Sequence, residues 1–180
     1  MTDTTPKRSI VQAAARYGMY IGMLLILIQT IQYLAGLYVS FFFSITTGSL
    51  FVAAIVMLIR NYRDNDLNGW MTYGQGVSIG SLSSVAGGLI YGAFMLILVM
   101  LVDTSYMDEL LIQTQEMMES SNVPPDQIEK AIDQMQENSS PWGFAYGPIF
   151  QFGVSGLIVS LIASIFFRKN PESTFDQDTL

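Results

Sequence analysis

Four apolar stretches, residues 17–39, 41–59, 77–102 and 145–167, divide the chain, and each is about as long as a bilayer is thick. A helix rises about 1.5 Å per residue, so about 20 residues cross ~30 Å of hydrocarbon. A soluble core in a chain of 180 residues cannot hide four such helices. Hydrophobic residues make up 51% of the chain and charged residues 13%, and the charges fall almost wholly outside the stretches. This pattern specifies an all-α integral membrane protein with four transmembrane helices.

The basic residues orient it. Lys7, Arg8 and Arg16 precede the first stretch, Arg60 and Arg63 follow the second, and Arg168 and Lys169 follow the fourth. Lys and Arg near spans are retained on the cytoplasmic side, so both termini are expected inside. The apolar stretch behind the basic N-terminal residues is too long for a signal peptide and reads as an uncleaved span. The expected division is an N-terminal segment 1–16, spans at 17–39 and 41–59, and a cytoplasmic loop 60–73. Span three covers 74–102, an outer segment 103–141, span four 145–167, and a cytoplasmic tail 168–180. Residues 1–6 and 170–180 carry no pattern for fixed structure.

The outer segment is acidic. Between Asp103 and Pro141 lie nine acidic residues, with Lys130 as the one base. That charge argues against nucleic acid and against the anionic cytoplasmic leaflet as partners. Met107, Leu110, Leu111, Met117 and Met118 follow helical spacing, and Asn122 is placed to end that helix. Pro124-Pro125 opens a second helix, where Ile128, Ala131, Ile132 and Met135 recur at i, i+3, i+4, i+7. The segment reads as an extramembrane amphipathic helical hairpin, into which helix three could run unbroken.

Small residues recur every four positions in span three: Gly76, Gly80, Ser84, Gly88 and Gly92. One small residue per turn lets helix backbones approach closely in lipid. Span one offers Gly18, Gly22 and Gly36, and span four offers Gly156, Ser160 and Ser164. These predict packing among spans one, three and four, or a homo-oligomer face. Span two lacks such a face and should be the most lipid-exposed.

Gln29, Gln32, Gln75 and Gln151 fall at or within membrane depth. A buried amide needs a hydrogen-bond partner, so each is expected to face another helix or to line a polar solute path. No charged residue lies inside any stretch, which argues against an ion-coupled pump. Cys and His are absent, excluding disulfides, thiolate chemistry, Cys/His metal sites and His acid–base catalysis. The carboxylates of the outer segment read as a wet helix face, with no metal, cofactor or catalytic site among them.

Short motifs add a resemblance. Tyr17-Gly18, Arg60-Asn61-Tyr62-Arg63, Tyr73-Gly74-Gln75-Gly76, Pro125-Asp126-Gln127-Ile128-Glu129 and Phe166-Phe167-Arg168-Lys169 resemble the small bacterial membrane proteins of the domain of unknown function 4199 family. The resemblance covers nearly the whole chain. It implies four spans with a long third loop in a Gram-negative inner membrane, and it carries no functional residues over.

The expected role is a non-enzymatic accessory, assembly or interaction subunit in contact with lipid. It would present the acidic hairpin to a membrane or periplasmic protein through Glu116, Glu119, Ile128, Ile132 and Met135. The alternative is passive transport of a small solute through the Gln- and Ser-lined interior.

Overall fold

The computed structural model describes residues 9–137 and 140–169. The expectations for residues 1–8 (with Lys7 and Arg8), for Asn138 and Ser139, and for 170–180 lie outside them. The described residues form helices and no strand: α1 Ile10–Leu34, α2 Phe41–Asn61, α3 Tyr73–Ile97, α4 Tyr106–Ser120, α5 Pro125–Glu137 and α6 Pro141–Phe167. α2 and α3 each end in a π-helical turn, Tyr62–Asp66 and Leu98–Val102. α1, α2, α3 and α6 are long and apolar enough to cross a membrane.

The helix ends follow from local chemistry, and several differ from the sequence boundaries. α1 begins at Ile10, well before Tyr17, because the Ser9 hydroxyl accepts from the Gln12 N–H at 3.3 Å. Ala13, Ala14 and Tyr17 then continue one buried face. α1 stops at Leu34 rather than near residue 39. Gly36 takes φ +67, and the N–H of Leu37 returns to the Gln32 carbonyl at 3.1 Å. Only a residue tolerant of the left-handed region closes a helix this way. Gly36 therefore ends α1 and is not a helix-packing glycine, since a methyl added there would meet nothing within 4 Å.

α3 opens with a capping box in which the Thr72 side chain and Gln75 satisfy each other's backbone N–H groups. α3 does not run on into α4, because Asp103 is extended at φ −140. Asn122, at φ 57, ends α4, and α6 starts on Pro141 and continues through Pro148.

α3 lies at the centre, packed on α6 along one side and on α1 along another. Its small residues meet α6 in antiparallel steps: Gly76 at Ser164, Gly80 at Ser160, Ser84 at Gly156, Gly88 at Pro148 and Ile149, and Gly92 at Ala145. A methyl group on Gly88 would lie 3.0 Å from the Pro148 carbonyl oxygen, and one on Gly92 would collide with the Ala145 carbonyl. The Ser84 and Ser160 hydroxyls donate to Gly80 and Gly156 at 2.8 and 2.5 Å, so neither is left unpaired in the seam.

The α1 contact uses a second face of α3. A methyl on Gly18 would lie 2.9 Å from the Ser83 carbonyl oxygen, and one on Gly22 would lie 3.3 Å from that of Gly87. Gly87 reciprocates, 3.3 Å from the Gly18 carbonyl oxygen. The four-residue stripe of α3 is thus covered by α6 and is not free as a homo-oligomer face. α2 lies to the side, burying Phe51, Ile55, Leu58 and Ile59, with the Phe51 ring 5.0 Å from that of Phe152.

Candidate functional site

The two ends of the bundle differ in chemistry. At one end, Arg16 reaches Asp66 at 2.9 Å, and Tyr17 donates to the same carboxylate oxygen at 3.0 Å. Arg63 pairs with Asp64 at 2.7 Å, and the Arg63 guanidinium lies 5.6 Å from the Phe167 ring centre. Met71 and Lys169 exchange backbone hydrogen bonds at 3.1 and 2.9 Å. The start of α1, the loop between α2 and α3, and the end of α6 are therefore tied together. This end gathers Arg16, Arg60, Arg63, Arg168 and Lys169.

At the other end, α4 is clasped to the turn between α1 and α2. Gln113 donates to the Gly36 carbonyl at 2.7 Å and accepts from the Val39 N–H at 3.1 Å. Tyr106 is buried, 5.0 Å from the Tyr38 ring and 5.8 Å from that of Phe144. Burial pushes its phenol above the ordinary range. Gln29 donates to the Tyr106 hydroxyl at 3.2 Å and accepts from Tyr91 at 2.8 Å. Asp103 accepts from the Ser105 hydroxyl at 2.7 Å and the Ser105 N–H at 3.0 Å. The Ser105 hydroxyl first, then that N–H and the Tyr33 and Tyr38 hydroxyls, hold Asp103 below the ordinary carboxylate range. Burial, and then Asp103, push Tyr38 up.

Beyond this clasp, α5 packs on α4. Ile128 is buried between them, while Ile132 and Met135 are half-buried and Glu116 and Glu119 are exposed. The turn joining the two helices opens a cleft of about 680 Å³. Gln115, Glu119, Asn122, Val123, Pro124, Pro125, Ile128, Glu129, Ile132 and Asp133 line it. Glu119, Ile128 and Ile132 come together there, whereas Glu116 and Met135 lie outside its lining. Gln115 donates to Glu119 at 2.8 Å and orients that carboxylate on the lip. Among the described residues no group of three or more Asp and Glu side chains is arranged to hold a metal ion.

The four glutamines do not converge. Gln29 joins the Tyr91–Tyr106 pair, and Gln75 caps α3 instead of facing a neighbouring helix at depth. Gln32 is half-buried near the end of α1, and Gln151 lies on the exposed side of α6.

The sequence pattern missed the second small face of α3 and the Gln113 clasp. The doublets Ser83-Ser84 and Gly87-Gly88 carried a signal for the first, since adjacent helical residues sit about 100° apart and point at two neighbours. Nothing local marks Gln113, whose partners are remote in sequence. No curated protein and no solved structure matches the chain. A family model described as protein of unknown function (DUF4199) matches residues 16–169. Matched over most of its length, the chain belongs to that family of proteins of unknown function.

Proposed function

We propose that the chain is a non-enzymatic accessory or assembly subunit of a bacterial inner membrane. Both termini lie in the cytoplasm, and α4 and α5 are presented to the periplasm. The observation that carries this reading is the split between a bundle closed on itself and a helix pair fixed to it at one end. α3 spends its small faces on α1 and α6, so the bundle interior serves cohesion. α4 is anchored through Tyr106 and Gln113, and α5 packs on α4, leaving an acidic surface with an apolar cleft for contact. The basic residues gathered at the opposite end support the orientation.

Passive transport has less support. Gln29 already spends its amide on Tyr91 and Tyr106, Gln75 caps a helix, and Gln151 faces outward. The test is a C-terminally tagged chain cross-linked in native membranes, with the adducts mapped. A stoichiometric protein joined to residues 103–141 supports the accessory reading. Recovery of the chain alone, with solute flux in liposomes that Gln29→Leu abolishes, favours the transport reading.

A further inference from the structure

We infer that the cleft between α4 and α5 binds a cationic amphipathic segment of another protein, seating an apolar side chain between Lys or Arg residues. This rests on the reading that α4 and α5 meet a partner, and it names that partner's chemistry. Among the lining residues, Val123, Ile128 and Ile132 are apolar and drawn in from solvent, and they make the floor. Ile128 and Ile132 stand one turn apart, so the floor runs roughly 6 Å along α5 and suits an elongated occupant. Glu119, Glu129 and Asp133 line the cleft too, and all three are exposed, which puts them at the rim. No ion pair neutralises these three among the described residues. A rim of uncompensated carboxylates around an apolar floor selects a ligand with the inverse pattern.

Charge also excludes this chain as its own ligand. Of its eight Lys and Arg residues, Lys130 alone lies between Asp103 and Pro141. A second copy facing the same way offers one cation to three rim carboxylates. The cleft, at about 680 Å³, admits several side-chain groups and exceeds what a single bare ion needs.

The test uses the full chain in phosphatidylcholine nanodiscs and a fluorescent 14-residue Leu/Lys helical peptide, read by anisotropy against empty discs. Saturable binding is expected. It should weaken at least tenfold in the Glu119→Gln/Glu129→Gln/Asp133→Asn variant and in Ile132→Asn. It should be unchanged in the charge-matched control Asp108→Asn/Glu109→Gln/Glu137→Gln, whose sites line no part of the cleft. A peptide with Leu replaced by Gln should also bind at least tenfold more weakly, which tests the apolar floor without altering the protein. Equal losses in both triple variants would show diffuse charge attraction and overturn the proposal. So would binding no stronger than to empty discs, full competition by spermine with indifference to the Leu→Gln peptide, or a dimer abolished by the rim variant. A partner captured in membranes without peptide binding would keep the accessory reading and overturn the cationic occupant. Peptide binding with no partner captured would keep the cleft chemistry and overturn the accessory reading.

Discussion

The seam of α3 with α6 and the contact of α5 with α4 are built on opposite principles. In the seam, backbones meet because side chains are nearly absent, and the space at each position is set by a serine or a carbonyl oxygen across it. Between α4 and α5, an apolar strip on each helix is partly buried and charged residues surround it. The seam specifies its partner by shape and has no slack. The α4–α5 pair specifies its own fold loosely and leaves its chemistry outward. The tolerant surface is available to others, and the intolerant one is already spent.

The largest effects are expected at the seam. Gly88→Ile and Gly92→Ile would drive a side chain into the backbone of α6, where nothing flexible can give way. Each is expected to cost about 3 kcal/mol or more, read as a large loss of thermal stability in detergent. Gly48 and Gly147 are the controls. Both are helical, with nothing within 4 Å of an added methyl, so Gly→Ala there should be neutral or stabilise by up to ~1 kcal/mol. Unchanged stability of the Gly88 and Gly92 variants would overturn the seam.

The clasp comes next in size. Gln113→Ala removes hydrogen bonds to Gly36 and Val39 and should cost about 1–2 kcal/mol. Hydrogen exchange should rise in residues 35–40 and in α4 while α3 stays protected. A uniform rise across the bundle would mean that α4 is integral to the core.

Charge reversal at Glu116 and Glu119 should change stability by less than ~0.5 kcal/mol, since both side chains are exposed. Partner cross-linking should nonetheless fall sharply. Undiminished cross-linking would separate the acidic face from recognition.

The smallest effect is in pH. Asp103 has its carboxyl held below the unfolded value of about 3.9. Its contribution is therefore fully present above that value and is lost as pH falls through the lower folded one. The difference in melting temperature between wild type and Asp103→Asn should be constant from pH 6 to 8 and shrink below pH 4. A difference that does not shrink would exclude the carboxylate as its source.

Much of this contrast is legible in the sequence, for physical reasons that also explain what is not. Apolar length and the four-residue spacing of Gly76, Gly80, Ser84, Gly88 and Gly92 are local signals, and a helix converts such spacing directly into a face. The acidic segment and the Pro124-Pro125 opening of α5 are equally local. The end of α1 is not set by apolar length. Residues up to 39 are apolar enough to continue a helix, and the positive φ of Gly36 decides otherwise. The cleft required convergence: Gln115 and Glu119 of α4 meet Glu129 and Asp133 of α5 only once the turn between them is folded. Gln75, at a capping position with the right partner at Thr72, was readable as a cap.

The most direct test of the central claim is the sidedness of the two ends. The chain contains no cysteine, so single substitutions report cleanly. Glu116→Cys and Asp64→Cys would be labelled with a membrane-impermeant maleimide in intact spheroplasts. Glu116→Cys is expected to label at once and Asp64→Cys only after lysis. Labelling of Asp64→Cys in intact spheroplasts, with Glu116→Cys protected, would contradict the claim.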